Sequence, residues 1–249
     1  MYRWISYGLG AHPANFIKIR KAGNENFKLG KYTEAVENYT AALSSNIKSC
    51  PFAAICFGNR ATAHQASGQI ADAIADCSMA MALDRNYAKA ISRRATLHEM
   101  VRDYEQAACD IRRLISVLGS QSNEKAKNSE SSNGSTGGKE SRQAQQRLLI
   151  VEYQAKMRTP LDFYLILGIK PADTAADIKK AYHKAALRHH PDKAGQLLAI
   201  SEVGDEGIFW KEIFQEVHKD ADRLFKMIGE AYVILSDPTK HADYDMEVD

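Results

Sequence analysis

Nowhere do the 249 residues contain an apolar run approaching the roughly 18 that a membrane-spanning helix needs, and Met1 to Phe16 lacks the basic start and apolar stretch of a secretory signal. No membrane partner is expected, and the setting is expected to be cytoplasmic or nuclear. The four cysteines, Cys50, Cys56, Cys77 and Cys109, form no C-x-x-C pair, so neither a zinc ribbon nor a redox motif is spelled out. They read as reduced, small core side chains. A nucleophile with its base, a phosphate-binding loop and a spaced set of metal ligands are missing as well. The sequence therefore points away from an enzyme and implies no cofactor and no metal. It also lacks the single dominant basic field of a typical nucleic-acid protein. Its net charge of +2 hides a split, with 22 Lys and Arg against 14 Asp and Glu in residues 1–160, and 11 against 17 in residues 161–249. The halves are thus +8 and −6, which suits separate surfaces with different partners. A helical nucleic-acid binder within residues 1–160 is the reading this leaves open.

With 45% apolar and 26% charged residues, the chain can bury a sizeable core in one or two domains. Its strongest internal signal is a repeat. Aligning Ala61-Thr-Ala-His64 with Ala95-Thr-Leu-His98 gives a period of 34 residues, and in that register Gly68 falls on Arg102, Ile70 on Tyr104, Ala73 on Ala107 and Cys77 on Ile111. An earlier copy holds Gly23, Phe27, Gly30, Tyr32, Ala35, Tyr39 and Ala42, set 38 residues before the second because Ser44 to Pro51 is a longer connection. Small residues recur where two helices of a repeat must approach closely (Gly23, Ala61, Ala95; Ala35, Ala73, Ala107), and larger apolar ones fill between neighbours. The pattern resembles the tetratricopeptide family over residues 14–118. The proline usual at the end of such a repeat is missing, with Asp84-Arg85 in that region of the second copy. Because the periodic sequence begins almost at once, the chain reads as readily as the tail of a longer protein.

From Gly119 to Ser141 the composition is Ser, Asn, Gly, Lys and Glu with hardly an apolar side chain, which predicts a flexible linker over 119–141. Helical spacing resumes over 142–158 with Leu148, Leu149, Val151 and Tyr153. That helix is expected either to cap the open end of the repeats or to stiffen the approach to the next domain.

Residues 161–245 hold three ordered blocks: Leu161-Asp-Phe-Tyr-Leu-Ile-Leu-Gly-Ile169, then Asp177 through His189-His190-Pro191-Asp192, and finally Phe225 to Pro238 with Tyr244-Asp245. Pro191 fixes its own φ, lacks a donor and pushes His190 out of helical geometry, so the helix starting near Thr174 must stop there and Asp192 is displayed in a loop. Asp177 to Lys193 carries five Lys or Arg against two Asp, a +3 segment inside a −6 half. Tyr182, Ala185, Leu187, Phe225, Ile228, Ala231, Tyr232 and Leu235 recur at helical spacing and are expected in the core.

The three blocks together resemble the J-domain of DnaJ proteins. That resemblance implies a cationic helix laid against an acidic face of a DnaK-type heat shock protein 70, with His190, Pro191 and Asp192 as the trigger of the partner's ATPase. It implies Lys179, Lys180, His183, Lys184, Arg188 and Lys193 as the docking charges, the plain alternative being a solvated helix face. One departure stands out: an insertion at about 194–219. Its Phe209, Ile213 and Val217 repeat every four residues and predict an N-terminal extension of the third helix, which shields Asp192, adds a contact or, as the favoured reading, packs on the core.

Holding a C-terminal aspartate needs cations and amides converging on two carboxylates, and on a repeat stack these must project from the first helices. Arg20 and Asn24 are four apart, Lys89 and Arg93 are four apart, and Asn59 precedes Arg93 by one period of 34. The set resembles the carboxylate clamp with which some tetratricopeptide co-chaperones grip the Glu-Glu-Val-Asp tail of heat shock chaperones, including that of heat shock protein 90, with Arg20 in place of the usual Lys. The plain alternative has Asn24 and Asn59 supporting turns. The chain itself ends Met246-Glu247-Val248-Asp249, which resembles such a ligand. Coincidence is the favoured account; self-masking or weak head-to-tail self-association through Glu247, Val248 and Asp249 is the other.

The expected fold is all-α: a tetratricopeptide solenoid joined to a helical J-domain, without the zinc-bearing or glycine-phenylalanine regions of other DnaJ proteins. The expected function is that of a co-chaperone, against the alternative of a scaffold whose J-domain is silent.

Overall fold

The structure, a computed structural model, describes residues 13–45, 50–128, 135–194 and 207–248. Among them every regular element is a helix, in keeping with the all-α expectation, and no described helix is long and apolar enough to cross a membrane. Six helices form three antiparallel pairs: α1 (Pro13–Lys28) with α2 (Tyr32–Ser45), α3 (Cys50–Ala66) with α4 (Ile70–Leu83), and α5 (Ala88–Met100) with α6 (Tyr104–Asn128). Neighbouring pairs stack through α2 on α3 and α4 on α5. The close approaches fall where the small residues are, for Ala35, Ala73 and Ala107 are fully buried. At Gly23 a Cβ would lie 2.7 Å from the Tyr39 ring, so a side chain there would push the two helices apart.

The turn inside each repeat is built the same way. Gly30, Gly68 and Arg102 occupy matching positions with φ of 74°, 76° and 61°, and the next amide in each reaches back to close the turn (Lys31 to Asn26, Gln69 to His64, Asp103 to His98). Glycine adopts this left-handed conformation without cost. Arg102 does so against roughly 1–2 kcal/mol of steric opposition, which the packing on either side must offset.

The stretch expected as a flexible linker is helical wherever it is described. α6 runs on to Asn128 and α7 (Ser135–Lys156) begins before Ser141, while residues 129–134 lie outside the described ones. Adding turns to a helix already anchored costs little compared with starting one, and α6 is anchored by Leu114 and Val117, which share a cluster with Ala144, Leu148 and Val151 of α7. Polar composition misled because it weighs each side chain alone. α7 packs along α6, turning Leu149, Ile150 and Tyr153 outward.

The remaining helices are α8 (Phe163–Leu167), α9 (Ala175–Arg188), α10 (Pro191–Ala194), α11 (Gly207–Leu235) and α12 (Pro238–Val248). Asp162 caps α8, and Thr174 with Asp177 forms a capping box on α9. Phe163, Ile166, Ile178, Ile228, Ala231 and Leu235 make the core between them, and Tyr182 stacks on Tyr232 at 4.1 Å. The Tyr244 hydroxyl accepts from Phe163 N (3.1 Å) and donates to Leu161 O (2.9 Å), tying α12 to the start of α8. Leu187, expected in the core, is instead 65% exposed. It stands nine residues from the buried Ile178, which is half a turn round the helix at about 100° per residue.

The insertion does extend the third helix, since α11 begins at Gly207 and spans 29 residues; residues 195–206 and the side chain of Phe209 lie outside those described. Its early residues do not pack on the core formed by α8, α9, α11 and α12. Trp210, Ile213 and Val217 join the apolar cluster of the repeats with Met79, Leu83, Ala108 and Ile111, because the extension projects past its own small domain and finds α4. Truncating Ile213, which is 1% exposed, to alanine is expected to lower the unfolding free energy by about 2–5 kcal/mol, as chemical denaturation followed by helix signal would read.

Candidate functional site

Two clusters of the expected residues can be located. The first lies on the first helices of the repeats. Arg20 and Asn24 stand on α1, Asn59 on α3, and Lys89 and Arg93 on α5. Asn59 donates to Asn24 Oδ1 at 3.1 Å, and the Tyr39 hydroxyl donates to the same oxygen at 2.8 Å. With its oxygen holding two donors, the Asn24 side chain turns its own N–H pair away from both, as an outside acceptor would require. Burial pushes the Tyr39 hydroxyl up to about 12, so it stays a donor at any ordinary pH.

Arg20 leans on the Phe52 ring, with 5.8 Å from guanidinium carbon to ring centre, and its Nε is a buried donor without a hydrogen-bond partner among the described residues. A buried unsatisfied N–H in an otherwise paired site marks a place where an acceptor is wanted. Arg93 donates to Gln65 Oε1 at 3.0 Å. Burial raises the Tyr87 pKa, and the charges of Arg93 and Arg20 both work against that rise. Lys89 is exposed one helical turn before Arg93. The structure thus joins Asn24 and Asn59 by a hydrogen bond and carries Arg20 on α1 and Arg93 on α5, while Lys89 is related to them by its position on α5 alone. The supporting partners Tyr39, Phe52, Gln65 and Tyr87 escaped the sequence reading as site residues, although Tyr39 belongs to the repeat pattern.

The second cluster is the end of α9. His189 closes the helix with its N–H on Ala185 O at 2.9 Å, and Pro191 opens the single turn α10, in which Asp192 sits rather than in an irregular loop. His190 is pinned from two sides. Its ring meets Phe225 edge-on at 5.2 Å, and its Nδ1 accepts from the Asp192 backbone at 3.3 Å. The Asp192 side chain is 79% exposed, held in place by its backbone and open to an outside cation.

Lys179, Lys180, His183 and Lys184 are exposed along α9 and Lys193 on α10. Arg188 differs: it donates to Asp72 of α4 at 2.8 Å, and His189 Nε2 lies 3.4 Å from the other Asp72 oxygen. Burial opposes the Asp72 carboxylate, but His189 and Arg188 outweigh it and hold its pKa down. Between these partners a cleft of about 350 Å³ opens, with Thr40, Arg60 and Asp76 of the repeats on one wall and His190 and Lys193 on the other.

Further along the junction, Arg94 makes a two-pronged pair with Asp110 (2.9 and 2.7 Å), donates to Ser78 at 2.8 Å and also reaches Asp220 of α11. Arg223 bonds both oxygens of Asp103 at 2.9 Å, and the Asp162 amide donates to Val101 O at 3.0 Å. His98 Nδ1 stands 3.3 Å from Asp103 but off the line of a hydrogen bond. Of the resembled clamp ligand at the chain end, the described residues Met246 to Val248 belong to α12. Glu247 and Val248 finish α12, Val248 packs on the core beside Tyr244, and Asp249 lies outside the described residues.

The Asp103 pair has a pH consequence. Burial works to raise its carboxyl, but His98 and Arg223 prevail and bring it from 3.8 down to about 2. A carboxyl depressed in the folded state stabilises above its unfolded pKa and loses that contribution as pH falls through the folded one. Stability is therefore expected to drop between about pH 4 and pH 2, and Asp103→Asn to flatten that limb in denaturant titrations across the range.

The DnaJ domain family model matches residues 162–202, the segment that carries α8, α9 and the turn at Pro191. DnaJ homolog subfamily C member 7 of Homo sapiens is 33% identical over 238 residues, covering 95% of this chain and 41% of the relative. The homologue of the same name in Dictyostelium discoideum is 34% identical over 230 residues, covering 92% of this chain and 36% of the relative. The chain spans about two fifths of the length of these relatives. Among solved structures, the first tetratricopeptide domain of Spaghetti (RPAP3) bound to an HSP90 peptide is 29% identical with a TM-score of 0.42, covering 57% of this chain and 99% of that one. Paired helices repeating every 34 residues, joined to the segment that the DnaJ model matches, give the chain an architecture of tetratricopeptide repeats followed by a J-domain.

Proposed function

We propose that the protein is a co-chaperone that recruits a DnaK-type heat shock protein 70 and stimulates its ATPase through His190, Pro191 and Asp192, while its repeats clamp the acidic C-terminal tail of heat shock protein 70 or 90 chaperones. The observation that carries the reading is the Asp192 carboxylate, exposed on a turn that Pro191 and the His190–Phe225 contact hold still, within the stretch that matches a DnaJ domain. Such a side chain can offer a partner's arginine a charge-assisted bond with little further ordering. The chemistry stays in the partner; this chain supplies shape and charge.

Lys179, Lys180, His183 and Lys184 form an exposed cationic flank that suits steering toward an acidic surface. Asn24 and Asn59 meet in a hydrogen bond on the first helices that also carry Arg20 and Arg93, and the Arg20 Nε has no acceptor among the described residues. Two carboxylates on one terminal residue would satisfy such a set.

Single-turnover ATP hydrolysis by a purified DnaK-type chaperone tests the first half. Asp192→Asn is expected to raise the half-saturating concentration of this protein about tenfold or more, the value of one charge-assisted bond of roughly 1.5–3 kcal/mol. Equal stimulation by both proteins would favour the alternative, a scaffold with a silent J-domain. For the groove, the double change Lys89→Ala with Arg93→Ala is expected to abolish capture of a Glu-Glu-Val-Asp peptide at unchanged helix content. Retained capture would refute the clamp.

A further inference from the structure

Arg188 belongs to the cationic helix, yet it is spent on this chain's own repeats. The Asp72 carboxylate on α4 takes the Arg188 guanidinium at 2.8 Å and the His189 ring at 3.4 Å, and the His189 side chain is left only 8% exposed. These contacts stand two and three residues before Pro191. The neighbouring His190 and Lys193 look into the cleft whose far wall is formed by α3 and α4. A protein-sized partner lying along α9 from Lys179 toward Asp192 therefore meets the wall of the repeats before it can cover the end of the helix.

Other contacts hold the same closed arrangement. Asp220 reaches Arg94, Arg223 pairs with Asp103, and the Asp162 amide binds Val101 O. Asp72 offers what an acidic partner would offer: a carboxylate for the last arginine of the helix.

We propose that Asp72 is an internal decoy: docking of the J-domain on the repeats closes one side of the trigger turn, and the ATPase partner must displace Arg188 from Asp72 to engage it fully. This rests on the co-chaperone reading above. The chain then exists in a closed and an opened arrangement, and the apparent affinity for the partner is lowered by the closed fraction. Because the Arg188–Asp72 pair is partly exposed, its share is modest, on the order of 0.2–1 kcal/mol, or up to about fivefold in a concentration.

The test compares wild type, Asp72→Asn and Asp220→Asn in the whole chain, titrated into a purified DnaK-type chaperone with radiolabelled ATP in single-turnover mode. Asp72→Asn keeps the size of the side chain, and Asp220→Asn loosens the junction from α11 without touching α9 or α4. The expected result is a half-saturating concentration about two- to fivefold lower for Asp72→Asn and a shift in the same direction for Asp220→Asn. Unchanged or raised values in both variants, with wild type active, would overturn the decoy while leaving the co-chaperone reading standing. Absence of stimulation by all three proteins would bring down that reading and the decoy with it.

Discussion

A buried guanidinium cannot be left without carboxylates, and the Arg94 side chain, 6% exposed, organises the molecule around that demand. Asp110 meets it from the same repeat, Ser78 from the helix before, and Asp220 from the J-domain. One repeat earlier the motif is complete without a visitor, for Arg60 pairs with Asp76 and donates to Thr40. The third repeat thus carries the same device with one more partner, and that extra carboxylate is one of the contacts that join the two halves of the chain. The joint is charged at its centre and apolar at its margin, where Trp210, Ile213 and Val217 lie among side chains of the repeats.

Much of the fold was legible because a period of 34 imposes itself on every residue that must pack. The small residues gave it away, and the ion pairs keep to it too: Arg60 and Arg94, like Asp76 and Asp110, stand 34 apart. The turn at Pro191 was equally readable, since a proline's lost donor and fixed φ act locally. Other features were not. Composition over 119–141 hid the continuation of α6 and the start of α7, which depend on contacts made by their neighbours. Leu187 is apolar but faces outward, a matter of one helical angle. The Arg188–Asp72 and Arg94–Asp220 contacts join residues 116 and 126 positions apart, and no spacing rule announces such meetings.

The candidate groove illustrates the same division. The spacing of four within a helix and of one period between helices selected Arg20, Asn24, Asn59 and Arg93, and the structure sets them on α1, α3 and α5 with Asn24 and Asn59 bonded to each other. What spacing could not supply is which polar groups are already occupied. Asn24 has its oxygen filled by Asn59 and Tyr39, Arg93 has Gln65, and the Arg20 Nε has no partner among the described residues. The preparedness of a site lies in such details of occupancy rather than in residue identity.

The groove residues belong to the first helices of the repeats, whereas the J-domain packs mainly on α4, a second helix, and reaches α5 through Arg94. Under the proposed function, a tail held by the first helices and a domain laid along α9 would engage different residues, so one chaperone would touch both only through a tether that spans the distance between them. Whether one molecule or two is held then becomes a question of tether length, since effective concentration vanishes for a tether too short to span that distance and falls slowly for one longer than it needs to be.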